Sequence, residues 1–108
     1  MEFELIISES FQKDMDEVIA YISLNLYNPV AASRLLKNAE ATVENIQCNP
    51  YMYSYSHIEA IAARGYRSAV VGNYEIFYKV DSEAGKIYIY RFLYGSMNLQ
   101  EIIDVEVL

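Results

Sequence analysis

The chain reads as an α+β fold of order β-α-α-β-β-β, with a helical hairpin packed on one face of an antiparallel sheet. Three observations predict it. Between Phe11 and Ile46 the apolar residues recur every three or four positions, which is the period of a helix with one buried stripe. Beyond Tyr51 the pattern changes to alternation, the period of a strand. Turn residues at Gly72-Asn73 and Asp81–Gly85 then divide that second half into a three-strand meander. Helices grouped before a run of strands place the two in separate layers.

Phe3-Glu4-Leu5-Ile6-Ile7 supplies a short first strand, and Ser8 and Ser10 offer side-chain oxygens to cap the helix after it. Phe11, Met15, Val18, Ile19, Ile22 and Leu26 form one stripe of that helix. Asp14, Asp16 and Glu17 lie in its first half, where negative charge suits the helix dipole, and read as a solvated face. Asn28 caps a second helix whose first residue, Pro29, has no N–H to leave unsatisfied. Its stripe is Ala32, Leu35, Leu36, Ala39, Val43 and Ile46, with Cys48 at the end as a small buried residue, and Asn49-Pro50 stops it. So short a connection makes the two helices antiparallel.

Residues 51–57 form an aromatic loop. Strands then follow at 64–71, 74–81 and 86–94. The two-residue loop pairs Val71 with Tyr74, Ala69 with Ile76 and Arg67 with Tyr78. Closing the next hairpin at Asp81 and Lys86 pairs Tyr78 with Ile89 and Ile76 with Arg91. One face then carries Ala69, Val71, Tyr74, Ile76, Tyr78, Val80, Ile87, Ile89 and Leu93, together with Arg67 and Arg91, and belongs under the helices. The two arginines are expected to pack their stems and reach the sheet edge or a carboxylate such as Glu40 or Glu44. The other face carries Tyr66, Ser68, Val70, Glu75, Phe77, Lys79, Tyr88, Tyr90, Phe92 and Tyr94, and is expected to be open or covered by a partner.

At 108 residues the chain is expected to be one domain, residues 1–108, able to bury a core without disulfides or metal. A lone Cys48 permits no internal disulfide, and a single His57, read as solvent-facing or structural, rules out a multi-histidine metal site. No cofactor is expected, since neither a Gly-rich phosphate loop nor a nucleophile elbow is present. The N-terminus lacks a signal-peptide pattern and no run nears the ~20 apolar residues of a membrane span, so a cytoplasmic location is expected. Net charge is −7: −5 over residues 1–57, +1 over 58–97 and −3 over 98–108. That excludes a broad basic stripe for nucleic acid while leaving room for a small anion site on the nearly neutral sheet. Nine of the eleven tyrosines lie at or beyond Tyr51. Tyrosine-rich, charge-poor surfaces are characteristic of protein interfaces, so Tyr66, Phe77, Tyr88, Tyr90 and Phe92 are the candidate partner-binding residues.

Asp14-Met15 through Tyr21-Ile22, Asn28-Pro29-Val30-Ala31-Ala32, Asn49-Pro50, Tyr66-Arg67, Gly72-Asn73-Tyr74 through Asp81, and Arg91-Phe92-Leu93-Tyr94-Gly95 together resemble the RelE/ParE toxin superfamily of type II toxin–antitoxin modules, also called plasmid-stabilisation proteins. The order and spacing of these elements carry the resemblance from about residue 3 to 98. The Asn-Pro helix start and the Tyr-Arg followed by Gly-Asn-Tyr place it nearer the ParE-like branch. The resemblance implies a cognate antitoxin partner, with homodimers or toxin–antitoxin heterotetramers among the assemblies. It implies either DNA gyrase as target (ParE-like) or messenger RNA cut on the ribosome (RelE-like). RNA cleavage needs groups that activate the 2′-OH, hold the phosphate charge and protonate the leaving oxygen. At the matching sheet positions this chain has Tyr66, Ser68 and Glu75, none of them basic, and Ser96-Met97-Asn98 follows the last strand where relatives carry basic residues and an aspartate. The expectation is a toxin acting by binding. Its rivals are a nuclease working through Arg67, Arg91 and Tyr94, with Lys79 assisting, and an interaction module without toxicity.

Overall fold

A computed structural model describes residues 2–95 of the chain, so Ser96, Met97 and Asn98 lie outside the described residues. The elements are β1 (Glu4–Ile7), α1 (Glu9–Ala20), a π-helical turn (Tyr21–Asn25), α2 (Pro29–Cys48), α3 (Glu59–Ala62), β2 (Arg67–Val71), β3 (Tyr74–Asp81) and β4 (Lys86–Tyr94). The architecture is α+β as expected, with two corrections. The sheet order is β1-β4-β3-β2 and β1 runs parallel to β4, so the sheet is mixed. The meander leaves the outer edge of β4 without a neighbour, and β1 occupies it. A third helix, α3, lies between the expected aromatic loop and the expected second strand, in residues assigned to neither; the chain leaves it through Gly65 at φ 91°, and β2 begins at Arg67 rather than at residue 64.

Both helix starts form as their sequences dictate. Ser8 Oγ accepts from the Phe11 N–H at 3.0 Å, and Asn28 Oδ1 accepts from the Ala31 N–H at 3.0 Å, with Pro29 leading α2. Phe11 and Met15 from α1 and Ala39 and Ile46 from α2 pack with Ala69, Ile76, Tyr78, Ile87 and Ile89 into the main core. Beyond Ala20 the helix widens into the π-helical turn, and Leu26 leaves the expected stripe, more than half exposed. Tyr27 ends the turn at φ 50°, a left-handed conformation for a bulky residue. Cys48, expected to be buried, is exposed at the end of α2.

The β2–β3 register is the one the turn demands: Val71 faces Tyr74, Ala69 faces Ile76 and Arg67 faces Tyr78. Gly72 has φ 61° and Asn73 does not share it, the pattern of a type II′ turn. On the other side of β3 the register holds from Asp81–Lys86 to Tyr78–Ile89 and then shifts, so that Ile76 faces Phe92 instead of Arg91. This β-bulge inserts one residue into β4. Its consequence is large. Phe92, expected on the outer face, joins the core beneath the helices, while Leu93, expected in that core, turns to the other face.

The outer face is not open along its length either. Ile61 of α3 packs with Tyr66, Phe77 and Leu93 into a second apolar cluster, flanked by Ile58 and Tyr90. Tyr66 and Phe77 have no exposed surface and Phe92 has 1%. Three of the five expected contact residues are therefore core in this conformation. A large ring on a sheet gains about 1.5–3 kcal/mol from full burial, and here a segment of the same chain supplies the cover.

Candidate functional site

The bulge in β4 is held from α1. Asp14 accepts from Arg91 Nε at 2.6 Å and Arg91 Nη2 at 2.8 Å, and its Oδ2 also accepts from the Phe92 backbone N–H at 3.0 Å. Ser8, the cap of the same helix six residues earlier, also bonds the β4 backbone, its hydroxyl donating to the Tyr90 carbonyl at 2.7 Å while its N–H donates to the Ile89 carbonyl at 3.0 Å. A bulge frees backbone groups that would otherwise be paired in the ladder. Ser8 and Asp14 absorb two of them. Asp14 is thus no solvated acid: it and Arg91 are both buried. Nor is the arginine's partner Glu40 or Glu44. The clue was in the pattern, because Asp14 sits three residues after Phe11 and one before Met15, on the apolar stripe itself.

Beside this pair, a cleft of 640 Å³ opens between α1, the π-helical turn and the ends of β3 and β4. Asp14, Glu17, Tyr21, Tyr74, Arg91 and Tyr94 line it, with Val18, Phe92 and Leu93. The Tyr74 ring stacks on Phe92 at 5.0 Å and meets Tyr94 edge-on at 5.4 Å. Tyr21 is 51% exposed and Tyr94 42%, so both present ring surface to solvent. Burial raises the Tyr74 pKa above the ordinary value, and the neighbouring Tyr94 and Tyr21 hydroxyls raise it further. The structure therefore brings together two of the three candidate catalytic residues, Arg91 and Tyr94.

Arg67 is elsewhere. On the β2 edge it donates from Nη1 to the Tyr53 carbonyl at 2.8 Å, and its guanidinium lies 4.2 Å from the Tyr55 ring centre and 5.3 Å from that of Tyr51. The aromatic loop wraps this edge: Tyr55 bridges Arg67, and the Ser68 N–H donates to the Ser54 carbonyl at 3.1 Å. Arg67 thus fastens the loop over an otherwise bare strand edge. Beneath it Tyr78 is fully buried and donates its hydroxyl to the Pro50 carbonyl at 2.8 Å, and burial pushes its pKa up to about 12.

On the outer face Lys79 lies with its ammonium 4.3 Å from the Tyr66 ring centre and 5.8 Å from that of Tyr90. Burial, helped by the nearby Arg64, lowers its pKa. Tyr88 and Tyr90 stack at 6.0 Å and remain partly exposed, which keeps these two of the five expected contact residues available. Burial, and after it the neighbouring Tyr88, raises the Tyr90 pKa. Glu75 is buried, accepts from the Ser68 hydroxyl at 2.5 Å and has His57 Nδ1 3.6 Å from the same oxygen. A carboxylate between a serine and a histidine cannot relay a proton from one to the other as a nucleophilic triad does, because the histidine must lie between. Among the described residues no three His, Cys, Asp or Glu side chains gather to hold a metal ion, and no helix is long and apolar enough to cross a membrane.

Comparison with known proteins adds the family. No curated protein is similar enough in sequence to count as a relative. Among solved structures, the chain is similar to a chain of the chromosomal ParDE toxin–antitoxin system of P. aeruginosa, with a TM-score of 0.66 at 17% identity over 86% of this chain and 96% of that one. It is similar to a chain of the toxin–antitoxin complex RelBE2 of Mycobacterium tuberculosis, with a TM-score of 0.57 at 16% identity over 87% and 99%. It is also similar to the YoeB/ParE toxin of Agrobacterium tumefaciens, with a TM-score of 0.60 at 12% identity over 85% and 98%. At such identities these likenesses establish the shared fold. Residues 5–99 match the family model described as the ParE toxin of the type II toxin–antitoxin system parDE. With nearly its whole length matched, the chain belongs to the ParE toxin family of type II toxin–antitoxin systems.

Proposed function

We propose that this chain is the toxin subunit of a type II module, neutralised by a cognate antitoxin, and that it acts by binding a target of the gyrase type rather than by cutting RNA. The observation that carries the second half is the state of the two candidate catalytic arginines, Arg67 and Arg91. A phosphate-stabilising guanidinium must have donors directed at the anion it will meet. Arg91 is buried with two donors committed to Asp14, and Arg67 is stacked against tyrosines and bonded to the loop backbone. The sheet position that would add a further cation holds Glu75, buried and bonded to Ser68. For the first half, family membership supports the module, and the similar P. aeruginosa and M. tuberculosis structures are described as toxin–antitoxin systems.

One observation favours the ribonuclease reading. Lys79 lies among Tyr66 and Tyr90 on the outer face, and its depressed pKa suits a group that exchanges a proton. Expression of the chain without a partner separates the readings. Growth arrest with a DNA-damage response and intact transcripts, together with inhibition of gyrase supercoiling by the purified protein, is the expected result. Rapid loss of translated messages would instead establish the nuclease, and undisturbed growth would leave an interaction module.

A further inference from the structure

The cleft between α1 and the ends of β3 and β4 has a chemistry that the arginine pair does not use up. Three tyrosines, Tyr21 from the π-helical turn, Tyr74 from β3 and Tyr94 from β4, line it together with the exposed carboxylate of Glu17. Among the described residues its ionised groups are two carboxylates and one guanidinium, and Asp14 is already matched by Arg91, so Glu17 gives that lining a net charge of −1. Ring faces carry negative quadrupole potential, and rings grouped around a space beside a carboxylate form a recurring receptor for organic cations. At 640 Å³ the cleft has ample room for the end of a long side chain. An anion would face the Glu17 carboxylate and meet a guanidinium, Arg91, that is already paired with Asp14, and a purely apolar group would strip water from Glu17 without replacing it.

We propose that Tyr21, Tyr74, Tyr94 and Glu17 form a cage for a cationic side chain, arginine or lysine, presented by a protein partner. The assignment of that partner as the antitoxin rests on the toxin reading above; the cage itself does not. Two features of the chain favour an occupant from another protein. Residues 95–108, which follow Tyr94 directly, contain no lysine or arginine, so that stretch cannot supply the cation. Continuous with Tyr21, the chain also exposes Leu24 at 69%, Leu26 at 55%, Tyr27 at 87% and Val30 at 66%. Apolar side chains clustered in sequence at one exposed turn mark an interaction surface. A partner segment with a basic residue next to apolar ones satisfies both parts: the cation enters the cage and its apolar neighbours cover the turn.

The test titrates the full-length chain with N-acetyl-arginine amide, N-acetyl-lysine amide and the neutral N-acetyl-citrulline amide, following tyrosine ring resonances by NMR. The expected result is saturable shifts at Tyr21, Tyr74 and Tyr94 with both cations, and binding of the citrulline compound at least about 5-fold weaker. Glu17→Gln should weaken the cations alone, and Tyr21→Leu, at a half-exposed site that the core does not depend on, should weaken them while the amide spectrum stays folded. Equal binding of citrulline, or shifts confined to other tyrosines, would overturn the cage. Self-association of the chain that the arginine compound disperses would overturn the partner assignment by making a second copy the occupant. None of these readouts involves toxicity, so a chain harmless to growth that still bound cations here would sink the toxin reading and leave the cage standing.

Discussion

Asp14→Ala should be among the most damaging single substitutions in this chain, and the reason can be worked from three bonds. Asp14 holds Arg91 through two charge-assisted hydrogen bonds of 2.6 and 2.8 Å and the Phe92 N–H through a third of 3.0 Å, with both side chains 10% exposed. Removing one partner of a buried ion pair costs about 3–5 kcal/mol, chiefly because a charge stays desolvated without its counter-charge. Domains of this size hold about 5–15 kcal/mol in total. Each kcal/mol moves Tm by about 4–8 °C in a domain near 100 residues, so a fall of at least about 12 °C is expected. Thermal and urea denaturation of wild type, Asp14→Ala, Arg91→Met and the double variant Asp14→Ala with Arg91→Met measure it. The double variant should lose less than the two single variants taken together, since no unmatched charge remains. A loss below about 1 kcal/mol for Asp14→Ala, or strict additivity, would refute the account of the bulge as held by this pair.

Two further outcomes follow from the turn and the buried phenol. Tyr78 titrates near 12 in the folded chain against 10.0 ordinarily, so its contribution is complete below pH 10 and is lost as pH rises through 12. At 1.36 kcal/mol per unit that is about 3 kcal/mol, and Tyr78→Phe should flatten the alkaline fall in stability while costing about 1–2 kcal/mol at neutral pH for the orphaned Pro50 carbonyl. Denaturation curves from pH 7 to 12 check both. Gly72→Ala should cost about 1 kcal/mol in chemical denaturation, entirely from backbone strain at φ 61°, because an added Cβ there would meet nothing within 4 Å. A larger loss would mean that something else packs on the turn.

What could be read from the residues alone was whatever short-range chemistry controls. Asn28-Pro29 begins a helix because the cap and the missing N–H act within one turn, and Gly72-Asn73 sets the β2–β3 register because a two-residue loop allows no other. Period and order of elements, and with them the family resemblance, are equally local facts summed along the chain. The bulge was not legible: no glycine marks it, and the Ser8 and Asp14 groups that relieve its backbone lie 82 and about 78 residues away in sequence. One inserted residue exchanged Phe92 for Leu93 in the main core, which no pattern within β4 could announce because alternation continues on either side of the slip. The burial of Tyr66 and Phe77 depended likewise on where α3 came to rest, and a tyrosine carries enough apolar ring to accept burial and enough polarity to accept water. Local propensity thus determined the elements and their kind, while packing between distant segments decided which rings are interior and which surround the cleft. Side chains of intermediate polarity take their state from whatever covers them, and that cover exists only once the chain has folded.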